Sequence, residues 1–465
     1  MRKNPLLNLH RATVGSLGVI LSKWLLRLIL LLTMMAGLCK FSTMPIKLMS
    51  AECVVVLGAY VTLLLLTHHV YHATDIGMAS VTELLMSQML SNLISIGVVY
   101  VGVSLYVHHL FNMLPLFIVG MIQMVIGLVW CVVVNNHYYK KRRKPRTAII
   151  YKHQSNLDLL YETPYFHDKY DVCKLIENPP EDFAALRNEL EGCEVLFSVG
   201  SSAEITNGLA KICVELNIIG YFMPRLGHII MSGAEYMARF SLPTLCVRRA
   251  GGHSEYRFFK RTFDLFASLV GIVVASPIML ATAIAIKAED HGPVFYRQVR
   301  LTKNGREFKI LKFRSMKVNA EQDGVARLAG ENDSRITKVG HFIRACRIDE
   351  LPQLFNILVG DMSIVGPRPE RPEIAKQYEE SLPEFALRLQ VKAGLTGLAQ
   401  VYGRYNTEPY HKLQMDLLYI NEMSVPTDLQ LILATIKILF VKDSTQGIAQ
   451  GQATALNDKK SHKAA

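Results

Sequence analysis

The chain is 465 residues long and half hydrophobic, with 51 Lys and Arg against 39 Asp and Glu for a formal net charge of +12. That length exceeds one compact domain, the apolar share excludes a disordered chain, and the positive excess calls for anionic partners such as lipid headgroups or nucleotides. Nucleic acid is not expected, because no nucleic-acid-binding motif occurs and the basic residues hug hydrophobic segments. Eight cysteines form no Cys-x-x-Cys pair and read as small buried hydrophobes.

Four apolar stretches, at 14–38, 46–66, 90–107 and 114–134, are long enough to cross a hydrocarbon core about 30 Å thick. Lys23 and Arg27 in the first are costly at depth, and their four-residue spacing puts them on one helical face. No small-residue cleavage site follows before the next apolar block, so a cleavable leader is not expected. Arg2, Lys3 and Arg11 precede the block, and Lys140-Lys-Arg-Arg-Lys144 follows it. The positive-inside rule therefore predicts both its ends in the cytoplasm. His68, His69 and His72 have no carboxylate or Cys completing a metal set and read as interfacial histidines.

Beyond residue 146 the composition turns globular. Short apolar runs at 148–151, 194–197, 218–222 and 244–247, with a helical stretch at 203–216, predict a small parallel α/β module over 146–250. Its first strand runs into Lys152-His-Gln-Ser-Asn156 without a glycine, so the turn lacks a dinucleotide fingerprint and a scaffold or regulatory role is expected.

The next apolar segment, 263–286, is interrupted by Ser276-Pro277. Proline removes a backbone donor and clashes with the preceding turn, which breaks or kinks a helix. Lys260 and Arg261 precede the segment, while Lys287, Arg297 and Arg300 follow it. Positive charge on both flanks predicts a re-entrant hairpin dipping into one leaflet, with both ends on the cytoplasmic side.

Closely spaced cations come next, in Phe308-Lys-Ile-Leu-Lys-Phe-Arg-Ser-Met-Lys317. In an extended chain Lys312 and Arg314 reach a diphosphate from one edge, or lie on anionic lipid. Arg-Ile-Asp-Glu-Leu-Pro-Gln at 347–353 then sets Asp349 and Glu350 beside Arg347, on a helix expected from about 344 to 358. Gly366-Pro-Arg-Pro369 makes a rigid turn whose Arg368 suits bidentate phosphate contact. A short apolar helix at 429–441 is expected on the membrane surface, ahead of a polar tail at 446–465.

Over roughly 260–443 these motifs closely resemble the bacterial sugar transferases, the monotopic phosphoglycosyl transferases, in their long subgroup with four N-terminal spans. The resemblance implies a catalytic domain at 258–445, mainly helical with some sheet, anchored by a Ser-Pro hairpin. It implies transfer of a hexose-1-phosphate, with glucose the sugar expected, from a UDP-sugar to undecaprenyl phosphate in a bacterial inner membrane, opening exopolysaccharide or O-antigen assembly. Galactose, an N-acetylated sugar, or a non-catalytic sensor or export component are the alternatives. In the family the aspartate matching Asp349 is the nucleophile. Glu350 is then the candidate ligand for Mg²⁺, the group assisting the acceptor phosphate, or both. Lys312, Arg314, Arg347, Arg368, Arg404 and Asp416 fall to phosphate, nucleotide or sugar binding, and a homo-oligomer is possible for such a membrane enzyme. Ala393 stands where the family commonly has proline. The complete expectation is a four-span helical bundle (1–140), the α/β module, and the catalytic domain.

Overall fold

A computed structural model describes residues 17–40, 50–76, 81–141, 143–161, 166–180, 182–237, 244–247, 249, 254–318, 335–403 and 408–438. Arg404, the first residues of the expected first span, and the tail at 446–465 lie outside them. The chain divides into two compact units, Met1–Met223 and Pro224–Ala465. Among the described residues five helices are long and apolar enough to cross a membrane.

Four of the five open the first unit: α1 (Leu17–Lys40), α2 (Ala51–Val70), α3 (Val81–Val107) and α4 (Leu114–Lys141). They pack around Leu30, Met34, Tyr60, Ile96 and Leu116. Gln123 ties three of them, donating to Leu30 O (3.0 Å) and accepting from the Tyr60 hydroxyl (3.1 Å). The third helix starts at Val81, ahead of the apolar run expected from 90, and its first turns are polar. Ser87 and Ser91 each donate to the carbonyl four residues back, at 2.8 Å.

A parallel sheet of order β2-β1-β3-β4 follows, from β1 (Arg146–Tyr151), β2 (Asp171–Glu177), β3 (Val195–Val199) and β4 (Ile219–Phe222). Its helices are α5 (Gln154–Tyr161), α6 (Phe166–Lys169), α7 (Phe183–Leu190) and α8 (Ala203–Leu216). Ser202 caps α8, and Asn217 ends it in the left-handed region (φ 55°). β2 is hidden in the sequence because, as an edge strand, it is mostly half-exposed and carries charges.

In the second unit α9 (Leu226–Ser232) precedes an antiparallel pair, β5 (Glu235–Met237) and β6 (Thr244–Cys246). The strand expected at 244–247 therefore pairs here and not in the parallel sheet. Then come α10 (Ser254–Asp290), the hairpin of β7 (Phe295–Leu301) and β8 (Glu307–Phe313), α11 (Lys338–Ala345) and α12 (Gln353–Val359). β9 (Met362–Val365) pairs in parallel with β10 (Ala393–Thr396), and α13 (Pro372–Ser381) and a 3₁₀ segment (Pro383–Gln390) lie between them. α14 (Leu398–Val401), α15 (Pro409–Asn421) and α16 (Val425–Ile438) complete the unit. The last of these buries Leu431 in a core with Tyr378, Phe385 and Leu417.

The expected break at Ser276-Pro277 is not a loss of helix, since α10 is helical through all 37 residues. Pro277 cannot donate to Val273 O, and the Ser276 hydroxyl donates to that carbonyl instead, at 2.7 Å. Both ends of α10 are fastened to the second unit. Near its start Lys260 pairs with Asp428 (2.8 Å), Arg261 donates to Ile357 O (2.7 Å), and Asp264 accepts from Ile364 N (3.0 Å). At its end Glu289 accepts from Lys338 N (2.8 Å), and Asp290 takes the Arg314 guanidinium. Between the anchors Val273, Val274 and Leu280 are exposed apolar residues.

Candidate active site

Asp349 and Glu350 do not ride on one helix from 344 to 358. They form a 3₁₀ turn, Ile348–Glu350, between α11 and α12. Arg347 enters the left-handed region (φ 56°), which ends α11 and costs a non-glycine residue on the order of 1 kcal/mol. Pro352, lacking an N–H, then starts α12. The kink turns both carboxylates toward the cations of β8.

Lys312 is brought there by a bridge that mimics strand pairing. Asn356 of α12 accepts from Leu311 N and donates to Lys309 O, both at 2.9 Å. Lys312 Nζ then donates to Glu350 Oε1 at 3.0 Å, and Arg368 Nη2 donates to the same oxygen at 3.0 Å. Arg347 Nη1 stands 3.9 Å from Oε2. Burial alone would raise the Glu350 carboxyl, but Lys312, Arg368 and Arg347 outweigh it and hold the group well below the usual carboxylate range.

Asp349 has the opposite environment. Among the described residues its carboxylate makes no hydrogen bond and no salt bridge. Burial, and after it the Glu350 charge, push it up to about 6 against Lys312, Arg344 and Arg347. A carboxylate that is ionised near neutrality, without a partner among the described residues and faced by three cations, is suited to attack a phosphorus atom.

Arg368 is held by backbone. Gly366 N donates to Thr396 O (2.8 Å) and Gly394 N donates to Pro367 O (2.9 Å), which locks the Gly-Pro-Arg-Pro turn onto β10. A Cβ on Gly394 would fall 2.1 Å from Gly366 N, so the two strands approach this closely only without side chains there. Arg388 supports the turn from below, donating to Arg368 O (2.9 Å) and pairing with Asp416 (2.7 Å), with Glu370 at 3.9 Å.

The structure thus gathers Lys312, Arg347, Asp349, Glu350 and Arg368. Asp416 lies in the ionic cluster behind the turn, where burial pushes its carboxyl up to about 6 despite Arg388. Arg314 turns away, paired with Asp290 and donating to Pro293 O (2.6 Å), because it falls just past the end of β8. Ser276 and Pro277 sit on the exposed stretch of α10. Sequence reasoning missed Asn356 and Arg388. For Arg388 a signal exists, a lone arginine among Phe385, Leu387 and Leu389.

The fold and site define a membrane-associated protein whose catalytic-type carboxylate pair is set among cations beside a long apolar helix. Comparison with known proteins narrows the class. The profile of the family described as bacterial sugar transferase matches residues 255–442. A UDP-N-acetylgalactosamine-undecaprenyl-phosphate N-acetylgalactosaminephosphotransferase of Aeromonas hydrophila is 43% identical over 187 residues, 40% of this chain and 44% of that protein. A UDP-glucose:undecaprenyl-phosphate glucose-1-phosphate transferase of Klebsiella pneumoniae is 44% identical over 191 residues, 40% of this chain and 41% of that one. The protein of the same description from Caulobacter vibrioides is 42% identical over 190 residues, and there the match covers 71% of its length. The chain belongs to the bacterial sugar transferase family. It spans under half the length of the first two relatives, and the match lies in the second compact unit.

Proposed function

We propose that the protein transfers a hexose-1-phosphate from a UDP-sugar to undecaprenyl phosphate at the cytoplasmic face of a bacterial inner membrane, initiating polysaccharide synthesis. In the first half-reaction an Asp349 oxygen attacks the sugar-bearing phosphorus, the bond to the bridging oxygen breaks, and UMP leaves. In the second, an oxygen of undecaprenyl phosphate attacks the same phosphorus and Asp349 leaves as a carboxylate. The observation that carries this reading is the asymmetry of the pair: Glu350 gripped by Lys312 and Arg368, Asp349 unpartnered among the described residues and titrating near 6.

Lys312, Arg347 and Arg344 are the cations that bear on Asp349, where the phosphoryl oxygens accumulate charge. Two adjacent carboxylates match the count magnesium takes when substrate phosphates complete its shell. The less engaged Glu350 Oε2 and Asp349 are the oxygens that would hold it, and the ion would neutralise charge on the transferred group. Among the described residues no group of three or more His, Cys, Asp or Glu forms a fuller site.

Both anchors of α10 belong to one compact unit, and positive charge flanks it on both sides. That supports a re-entrant helix bent at Ser276-Pro277, keeping Asp349 on the side where UDP-sugars are found. Glucose is the sugar we favour, and the similarity to the Aeromonas hydrophila protein makes N-acetylgalactosamine the alternative. Membranes containing the protein, given UDP-glucose, UDP-galactose, UDP-N-acetylglucosamine and UDP-N-acetylgalactosamine in turn, should release UMP with one of them. Release with none would refute the proposal.

A further inference from the structure

The interior of the four-helix bundle changes character along its length. Part of it is an ordinary apolar core of Met34, Tyr60, Val99 and Leu116. The facing positions near the start of α1 and the end of α2 are polar: His68, Gln88, Ser91, Asn92 and Ser95 are all buried. Some of these groups are accounted for, with Gln88 Nε2 donating to Ala73 O (3.2 Å) and Ser95 meeting Thr67 at 3.4 Å.

Others are not. Both ring nitrogens of His68, which is 1% exposed, together with Gln88 Oε1, Asn92 Oδ1 and Arg27 Nε, are buried and have no hydrogen-bond partner among the described residues. The charge that bears on His68 is the Arg27 guanidinium. The interfacial histidine expected at 68 is thus an interior one. Asp75 pairs with Lys23 (3.6 Å) and His72 (2.8 Å), and its charge also bears on Arg27. One carboxylate thus faces two fixed cations, and Arg27 makes no salt bridge among the described residues, lying over the Trp24 ring at 4.9 Å. Gln88 Oε1 comes to rest against Gly127, 2.3 Å from where a Cβ would stand.

Polar groups left unpaired at membrane depth cost several kcal/mol each, and ionisable ones there mark binding sites. The layer combines surplus positive charge with free donors and free amide acceptors. A singly protonated phosphate matches that mixture, because its oxygens accept from Arg27 and His68 while its one O–H donates to an amide oxygen. Basic pockets between helices near a membrane face hold such headgroups. We propose that this layer of the bundle binds a singly protonated phosphate group, as a lipid monoester headgroup or as the free anion, through Arg27 and His68. The inference is independent of the transfer reading, since its residues belong to the other compact unit.

The chain's two tryptophans, Trp24 and Trp130, lie in α1 and α4, and Trp130 Nε1 donates to Ser22 O at 3.1 Å. Intrinsic tryptophan fluorescence of the full chain in a neutral detergent therefore reports on the bundle alone. Dodecyl phosphate should produce a saturable change, unaltered in Glu350→Gln and weakened at least tenfold in both Arg27→Gln and His68→Leu. Inorganic phosphate that saturates equally well identifies a free anion as the ligand, and a requirement for the chain identifies a lipid. Thermal melting checks each variant, and His68→Leu decides alone if Arg27→Gln does not fold. The proposal is overturned if neither phosphate gives a saturable change, if dodecyltrimethylammonium gives the same one, or if the folded variants keep parental affinity.

Discussion

Asp349 and Glu350 are sequence neighbours with opposite electrostatic environments, and that difference yields tests at the scale of single residues. Asp349→Asn should lower transfer by at least about 10³-fold, because an amide cannot serve as the attacking oxygen. Its folded carboxyl titrates near 6 against an ordinary 3.8, so the folded state holds the extra proton between those values. Stability contributed at acid pH is therefore lost as pH rises through that window. The Asn variant escapes this loss and is expected to melt higher than the parent at pH 7.5, with the two converging near pH 4. UMP release by the parent should fall about tenfold per pH unit below 6 and level off above 7, since the nucleophile must be ionised. A rate that is flat from pH 5 to 8 would contradict the role. Arg388→Ala removes the guanidinium paired with buried Asp416, leaving only the Lys412 charge bearing on it, and should destabilise the protein by about 3 kcal/mol in urea unfolding. The carboxylate pair and Arg368 were legible in the sequence because their motifs are contiguous. Arg388 was not, because its partners Asp416 and Glu370 are set only by the fold.

At the scale of elements, two glycine-bearing segments far apart in sequence prove to be one device. Gly366-Pro-Arg-Pro and β10 close on each other through backbone hydrogen bonds, and the fold gives Gly394 a reason that no spacing pattern supplies. Gly394→Ala should push β9 and β10 apart, cost about 1–3 kcal/mol, and reduce activity more than stability by moving Arg368 off Glu350. Equal losses in a melting curve and in UMP release would argue against that positioning role. The helix expected across 344–358 fails for a local reason, the left-handed Arg347, which periodicity cannot register. In α10 the opposite occurs: the proline is plain in the sequence, but the hydroxyl that repairs its missing hydrogen bond appears only in three dimensions. Replacing Ser276-Pro277 with Ala-Leu returns the Val273 carbonyl to an ordinary helix N–H. On the proposed re-entrant reading this favours a straight span and UMP release should be lost, whereas parental UMP release would contradict that reading.

At the scale of the whole molecule, the apolar blocks, the alternation of strands and helices and the late cationic segment were readable as separate regions because each has its own period and composition. Their internal chemistry was less so, since buried polar groups such as Gln88 and His68 declare themselves only once neighbouring helices are in place. The topology has its own test: a Cys placed at position 290 should resist a membrane-impermeant thiol reagent in intact cells, and labelling there would put the end of α10 outside. The most direct measurement of the central claim is the intact mass of the full-length protein after incubation with UDP-sugar in the absence of undecaprenyl phosphate. A covalent intermediate predicts a mass increase of one phospho-hexose, mapped to Asp349, with at most about one UMP released per chain. An unmodified mass, with UMP appearing only after the lipid acceptor is added, would contradict it.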